Sequence, residues 1–444
     1  MMISIGLGCI LLGGLGLGYH KPVLRLNLGL ALIVGGIFYG GYSLDVVFLE
    51  WAWYKGYFVG FMILLYSLTW LLITESSWDK EFLRVMVLVG SLLVVLSNHF
   101  ILTYLALELQ TFSLFVLIAS YRSSIKSNEG GLKYFILGAI SSGLFLMGVS
   151  ILYSMGYGLT ISSSVELQAG GWARGWNYLI LLSLFFKLSL FPLHFWVPDI
   201  YEASDYRTLA LIGTLPKISV VGMLIQLGLF SNFLLWCALG SIVVGTFGAM
   251  NQSKFKRLLA YSGISQIGFA LLTCSLFVDT GIEITCLYLT IYGIGFITVI
   301  WLLHGSNLSR ISYIYDISGL SKLNMTLALS WGLLWLSMAG LPPFSGFLSK
   351  WWVIWTMVTN GYLYVGFFCV ILSALGMVYY LRIMKICYFQ KLSSYAVWES
   401  VFQPTRPSTF YYLCVGGGFY FVCFLILNPK FLILSVDYCF LTFF

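Results

Sequence analysis

Apolar runs of roughly 18 to 23 residues follow one another along this chain, each long enough to cross a ~30 Å hydrocarbon core. A soluble domain carries about 25% charged residues. Here 9% of the 444 residues are charged and 60% are hydrophobic, with a mean hydropathy of +0.95. That charge cannot cover a soluble surface of this size. An ordinary cytosolic enzyme, a nucleic-acid binder and a disordered scaffold are excluded. A porin-like barrel would read as ~10-residue alternating segments. The expected fold class is therefore all-α and polytopic, in a membrane, with lipid and not nucleic acid as its surroundings.

The runs predict about fourteen spans, near residues 3–19, 23–42, 57–73, 82–96, 100–120, 132–157, 176–196, 207–230, 232–250, 257–278, 282–304, 324–358, 362–386 and 410–427. The net charge of +7 fits this count as loop charge. Of 23 Lys and Arg, 16 fall in the loops after odd-numbered spans, while Lys55, Arg174 and Lys430 alone fall on the alternate side. Such a bias sets orientation: the odd-numbered loops face the cytoplasm or matrix, and both termini face the other side. The opening run has no basic leader and reads as a retained first span. The sequence is expected to form one membrane domain in four sections: 1–75, 82–230, 232–386 and 387–444. Nine scattered cysteines, none in a CxxC pair, read as small apolar residues and not as metal ligands. There is no P-loop, no GxGxxG between a strand and a helix, and no HExxH.

The four lysines left over from the loops, Lys133, Lys187, Lys217 and Lys350, fall within spans and are joined there by one acid, Glu108. On insertion scales each costs roughly 2.5–3.5 kcal/mol at a helix centre, so five in one chain point to a use. Bland readings compete. Lys133 sits about a turn inside its span and could snorkel to the positive side. Glu108, Lys187 and Lys217 could form structural ion pairs, and Lys350 could pair or snorkel. Prolines favour the functional reading. Pro192 follows Lys187, removes a backbone donor and is expected to free the Leu188 carbonyl, with His194 close by. Pro216 directly precedes Lys217, and Pro342 and Pro343 precede Lys350. A helix opened inside a membrane is tolerated where protein or a water-filled cavity satisfies the freed groups. A charge beside such an opening is the pattern of an ion path. Glu108 and Lys187 would titrate as a coupled set. No redox motif is visible, so the driver must come from partners or an ion gradient.

The segments LALELQTFSLFVLIASYR, KYFILGAISSGLFLMG, FKLSLFPLHFWVPDIYEAS, LPKISVVG, KFKRLLAYSGISQIGF, AGLPPFSGFLSKWW and YYLRIMKICYF resemble the chain 2 family of NADH-ubiquinone oxidoreductase, the antiporter-like membrane-arm subunits of respiratory complex I. The resemblance covers roughly residues 40–427. It implies two inverted five-helix repeats, spans 4–8 and 9–13, with spans 7 and 12 broken. It assigns Glu108, Lys187, Lys217 and Lys350 to a proton relay, and Lys133 matches a further lysine of the family. A lysine at position 350 favours this family over its two larger relatives. The resemblance also implies that the chain is a subunit of an H+-translocating NADH:ubiquinone reductase without redox chemistry of its own. FMN, iron–sulfur clusters and ubiquinone would lie in partner subunits, and adjacent antiporter-like subunits would flank it in the mitochondrial inner membrane or a bacterial plasma membrane. Two positions depart from the family. Gln266 stands where a His is common, and YEASDYRT replaces a Pro-containing loop. The rival readings are a subunit of a multi-subunit cation/proton antiporter, a chloroplast homologue, and a structural subunit whose lysines merely pair.

Overall fold

In a computed structural model the chain is described at residues 53–70, 78–121, 124–156, 158–161, 174–228, 232–276, 278–305, 313–323, 325–390, 409–427, 429–430 and 433–434. The first two predicted spans lie outside these residues. The described residues form helices α1 (Trp53–Trp70), α2 (Trp78–Leu96), α3 (Phe100–Ile118), α4 (Ile125–Ser154), α5 (Arg174–Leu188), α6 (Trp196–Ala203), α7 (Tyr206–Leu227), α8 (Asn232–Met250), α9 (Phe255–Cys274), α10 (Asp279–Gly305), α11 (Leu320–Leu323), α12 (Met325–Ala339), α13 (Ser345–Thr359), α14 (Leu363–Phe389) and α15 (Thr409–Phe424). Six of them are long and apolar enough to cross a membrane: α3, α4, α7, α8, α10 and α14. The helices fall into two compact units. One comprises the described residues of 1–196, 203–230 and 434, the other those of 197–202 and 231–433.

Each unit encloses one helix completely. In the first, the apolar stretch of α7 is wholly buried and packs on α1, α2, α3 and α5. In the second, α10 is wholly buried against α9, α12, α13 and α15. A helix that is apolar on all sides has no face to give to water and ends up surrounded. The outer helices α4 and α14 keep large apolar side chains exposed, among them Ile136, Ile140, Phe367 and Val378. Such surfaces are soluble in hydrocarbon and not in water.

The same order of devices recurs in both units. The loop before α3 pairs with the loop after α4, through Phe100 N–H to Leu159 O (3.0 Å) and Ile161 N–H to Asn98 O (2.9 Å). The loop before α9 pairs with a segment after α10, through Ile314 N–H to Ser253 O (3.0 Å). The next long helix is then interrupted. The predicted span near 176–196 ends as a helix at Leu188 and resumes at Trp196, and the one near 324–358 ends at Ala339 and resumes at Ser345. The third expected interruption is absent: α7 runs unbroken through Pro216. A single interior proline deprives only the Ile212 carbonyl of its donor, and the enclosed helix carries that defect without opening.

Two local contacts fix these elements. Glu202, on α6, accepts from Lys254 Nζ (2.6 Å) and Arg257 Nε (2.6 Å), and Asp199 accepts from Arg257 (3.1 Å). These pairs tie α6 to the start of α9. The half-helices α12 and α13 meet at Gly346, where an added Cβ would lie 1.8 Å from the Ser337 carbonyl oxygen. No rotamer change relieves a clash with backbone, so Gly346→Ala must force the half-helices apart. We expect it to cost at least about 1–3 kcal/mol, the range for overpacking. The check is the thermal stability and yield of solubilised complex, where wild-type values would contradict this account of the contact.

Candidate functional site

Three of the predicted lysines are buried: Lys187 at 8% exposure, Lys217 at 1% and Lys350 at 7%. None lies on a lipid-facing stripe. Glu108, on α3, is half-buried, and its Oε2 accepts from Thr111 Oγ1 at 3.4 Å. Its charge reaches Tyr104, Tyr134 and Lys187. Lys187 Nζ has no hydrogen-bond partner among the described residues. It borders a cavity of about 10 Å³ lined by Tyr104, Ser141, Ser142 and Ser183 together with apolar side chains. That is about the space one water needs. The three serine hydroxyls donate to the carbonyls of Gly138 (2.7 Å), Ala139 (3.0 Å) and Ile180 (2.6 Å). Their protons are thus committed, and their lone pairs remain as acceptors for an ammonium or a water. Gln110 Nε2 donates to Ser219 Oγ at 3.5 Å, which joins α3 to the part of α7 that carries Lys217.

The interruption after Lys187 is built from backbone. Ser189 takes the left-handed conformation, with φ of 63°. Ser189 N–H then donates to Phe186 O (3.1 Å) and Leu190 N–H to Phe185 O (2.9 Å). This is the paired bonding of a Schellman end. Trp196 Nε1 also donates to Phe186 O, at 3.0 Å. The Leu188 carbonyl, expected to be free, accepts from the Ser189 hydroxyl. A neighbouring side chain thus supplies the donor that Pro192 lacks. His194 is buried beside the Phe195 ring, 4.3 Å between centroids, and its Nδ1 has no hydrogen-bond partner among the described residues. Lys187 itself lies in the last turn of α5, where the helix dipole favours a cation.

The second unit repeats this arrangement. Gly340 has φ of 85°. Its N–H donates to Ser337 O (2.9 Å) and Leu341 N–H donates to Leu336 O (3.3 Å), a second Schellman end, with Pro342 and Pro343 after it. Lys350, on the resumed half α13, reaches back and donates to Ala339 O at 2.7 Å. Beside it, Gln266 Nε2 donates to Met338 O at 3.3 Å. Two side chains therefore hold consecutive carbonyls at the C-terminal end of α12. The cavity there is about 20 Å³, and its polar lining is Gln266, Tyr288, Tyr292, Ser337, Ser349 and Lys350.

The structure places Tyr104, one turn from Glu108, in the lining of the cavity that Lys187 borders. It places Lys133 in a pair with Glu129 at 2.7 Å, with both side chains largely exposed. Sequence reasoning missed the hydroxyls. Tyr104 is one turn from Glu108, and Ser183 is one turn from Lys187. A polar residue four positions from a buried charge on a helix shares its face, and that spacing was the available signal.

The chain matches the family description "NADH:quinone oxidoreductase/Mrp antiporter, TM" over residues 97–376. It is 39% identical over 366 residues to NADH-ubiquinone oxidoreductase chain 2 of Metridium senile, covering 79% of this chain and 94% of that one. It is 31% identical over 384 residues to NADH-quinone oxidoreductase subunit N of Rhodospirillum rubrum, covering 82% and 79%. Its fold is similar to that of a chain of respiratory complex I from Thermus thermophilus, with a TM-score of 0.78 at 24% identity over 98% of this chain and 99% of that one. A chain of the Mrp complex from Dietzia sp. has the same fold, at 0.77 and 17% over 99% and 96%. The chain thus belongs to the NADH:quinone oxidoreductase/Mrp antiporter transmembrane family.

Proposed function

We propose that the chain is the proton-translocating, chain 2-type membrane-arm subunit of an NADH:ubiquinone oxidoreductase. One observation carries the reading: in each unit a buried lysine sits at the C-terminal end of an interrupted helix, beside a small hydroxyl-lined cavity. An ammonium there is stabilised by helix-end carbonyls, and a neutral amine can take a proton from water. Each lysine can thus exist in two protonation states without unfolding its surroundings. Glu108, Lys187, Lys217 and Lys350 form the relay, with Lys187 biased by the Glu108 carboxylate. Lys133, paired with Glu129 on α4, is a further proton carrier of the relay. His194, Pro192, Pro342 and Pro343 shape the interruptions, and Pro216 adjusts α7 next to Lys217. The 39% identity to Metridium senile chain 2, against 17% to the Mrp chain of the same fold, favours this assignment over a cation/proton antiporter, which the matched family also includes.

The chain has no cofactor of its own in this reading. FMN, iron–sulfur clusters and ubiquinone belong to partner subunits, and redox energy reaches the chain through its contacts with adjacent antiporter-like subunits. It is a multi-pass protein of the mitochondrial inner membrane, with the basic odd-numbered loops in the matrix.

Substitutions at Lys187 test the relay. Lys187→Met keeps length and removes the titrating group. Assembly should survive, while proton pumping and coupled quinone reduction fall about tenfold or more, as for loss of a proton-transfer group. Lys187→Arg should fare almost as badly, because a guanidinium holds its proton. The reverse order, with Arg active and Met unassembled, would make Lys187 a structural cation.

Gly340→Ala tests the position of Lys350. The added Cβ would lie 2.9 Å from Lys350 Cδ and 3.2 Å from its Nζ, at a backbone conformation that costs an L-residue roughly 1–2 kcal/mol. Pumping per assembled complex should fall. Normal pumping with normal yield would show that the contact between Lys350 and Ala339 is dispensable.

A further inference from the structure

The cavity at Lys350 has a polar continuation that the four-residue relay does not use. Tyr288, on the enclosed helix α10, donates its hydroxyl to Gln266 Oε1. Gln266 also donates to Met338 O, one carbonyl before the one held by Lys350. The Tyr380 hydroxyl, on α14, neighbours Gln266, Ser262 and Tyr379. Tyr380 is 1% exposed, and its hydroxyl has no hydrogen-bond partner at bonding geometry among the described residues. Besides Lys350, the polar residues Gln266, Tyr288, Tyr292, Ser337 and Ser349 line this cavity, and such a gathering inside an apolar bundle calls for a use.

The direction of this cluster is set by α9 and α14. Ser262 lies seven residues after Phe255, about 10 Å along the helix axis. Lys254 and Arg257 mark that end of α9, in one of the basic loops. Tyr380 lies just before Arg382, which donates to Met250 O at 3.1 Å on the same side. The cluster thus leads from Lys350 toward the basic face.

We infer that Tyr288, held in place by Gln266, and its neighbour Tyr380 form the hydroxyl path by which Lys350 exchanges protons with the basic side. In each transfer a hydroxyl oxygen accepts a proton and releases its own onward through cavity water, and the Lys350 amine becomes an ammonium. No hydroxyl keeps a charge. Gln266 is a positioning residue: it cannot titrate, and its two ends orient Tyr288 and the α12 terminus. The inference rests on Lys350 being a proton carrier.

The test uses the assembled complex in liposomes and measures proton pumping, coupled quinone reduction and their solvent isotope effect. Tyr288→Phe and Tyr380→Phe keep the rings and remove only the hydroxyls. With Lys350→Met as the reference, each Phe variant should assemble normally, slow pumping about tenfold or more, and raise the isotope effect. Gln266→Leu should slow pumping similarly without abolishing it. Wild-type rates and isotope effects in both Phe variants, with Lys350→Met inactive, would overturn the path alone. Loss of assembly in both would assign the hydroxyls to packing and overturn it too. Unchanged pumping in Lys350→Met would instead overturn the reading beneath it.

Discussion

Everything in the two sites depends on one juxtaposition: a lysine placed near the carbonyl end of a helix that stops inside the bundle. An unpaired ammonium is expensive in hydrocarbon, and so is a row of helix-end carbonyls. Placed together, each lowers the cost of the other. The Schellman bonds at Ser189 and Gly340 satisfy most of the ends through backbone alone. Lys350 then closes the remaining Ala339 carbonyl directly. Lys187 sits at its helix end without a hydrogen-bond partner among the described residues, which leaves it more dependent on Glu108 and on water in its cavity. The two lysines are variants of one device with different strengths of hold.

The enclosed helices explain why such a device survives. α7 and α10 are wholly buried, and the polar groups beside Lys187 and Lys350 line small cavities. With about 10 and 20 Å³, these cavities admit one or two waters. A proton can be passed through such a space while ions and bulk water are kept out. Gly346 matters for the same reason: close approach of α12 and α13 holds the Lys350 cavity to that size.

Much of this was legible in the sequence, for identifiable reasons. Span positions followed from apolar run length, and α8 coincides with its predicted bounds. The interruptions near Pro192 and Pro342 were legible because proline removes a donor where no water replaces it. Pro216 misled for the converse reason, since one missing bond in a surrounded helix does not open it. Ser189 gave no warning of its left-handed backbone, a conformation in which glycine is the usual residue. Which hydroxyls share a cavity was hidden because each lining draws on several different helices and needed the fold to assemble it. The pairing of Lys133 with Glu129 was open to the (i, i+4) rule, but the charge alone drew attention to it. Gln266 was noticed only as a departure from the family, whereas its place between Tyr288 and Met338 needed the fold.

The central claim is that both lysines face wet, proton-conducting cavities. A high-detail density map of the assembled complex in a membrane tests this most directly. The account predicts an ordered water within hydrogen-bond reach of Lys187 Nζ, bridging it to Ser141, Ser142, Ser183 or Tyr104, and another joining Lys350 Nζ to Tyr288 or Ser349. Dry cavities at both sites, or a direct Glu108–Lys187 ion pair filling the space where the water should stand, would contradict it.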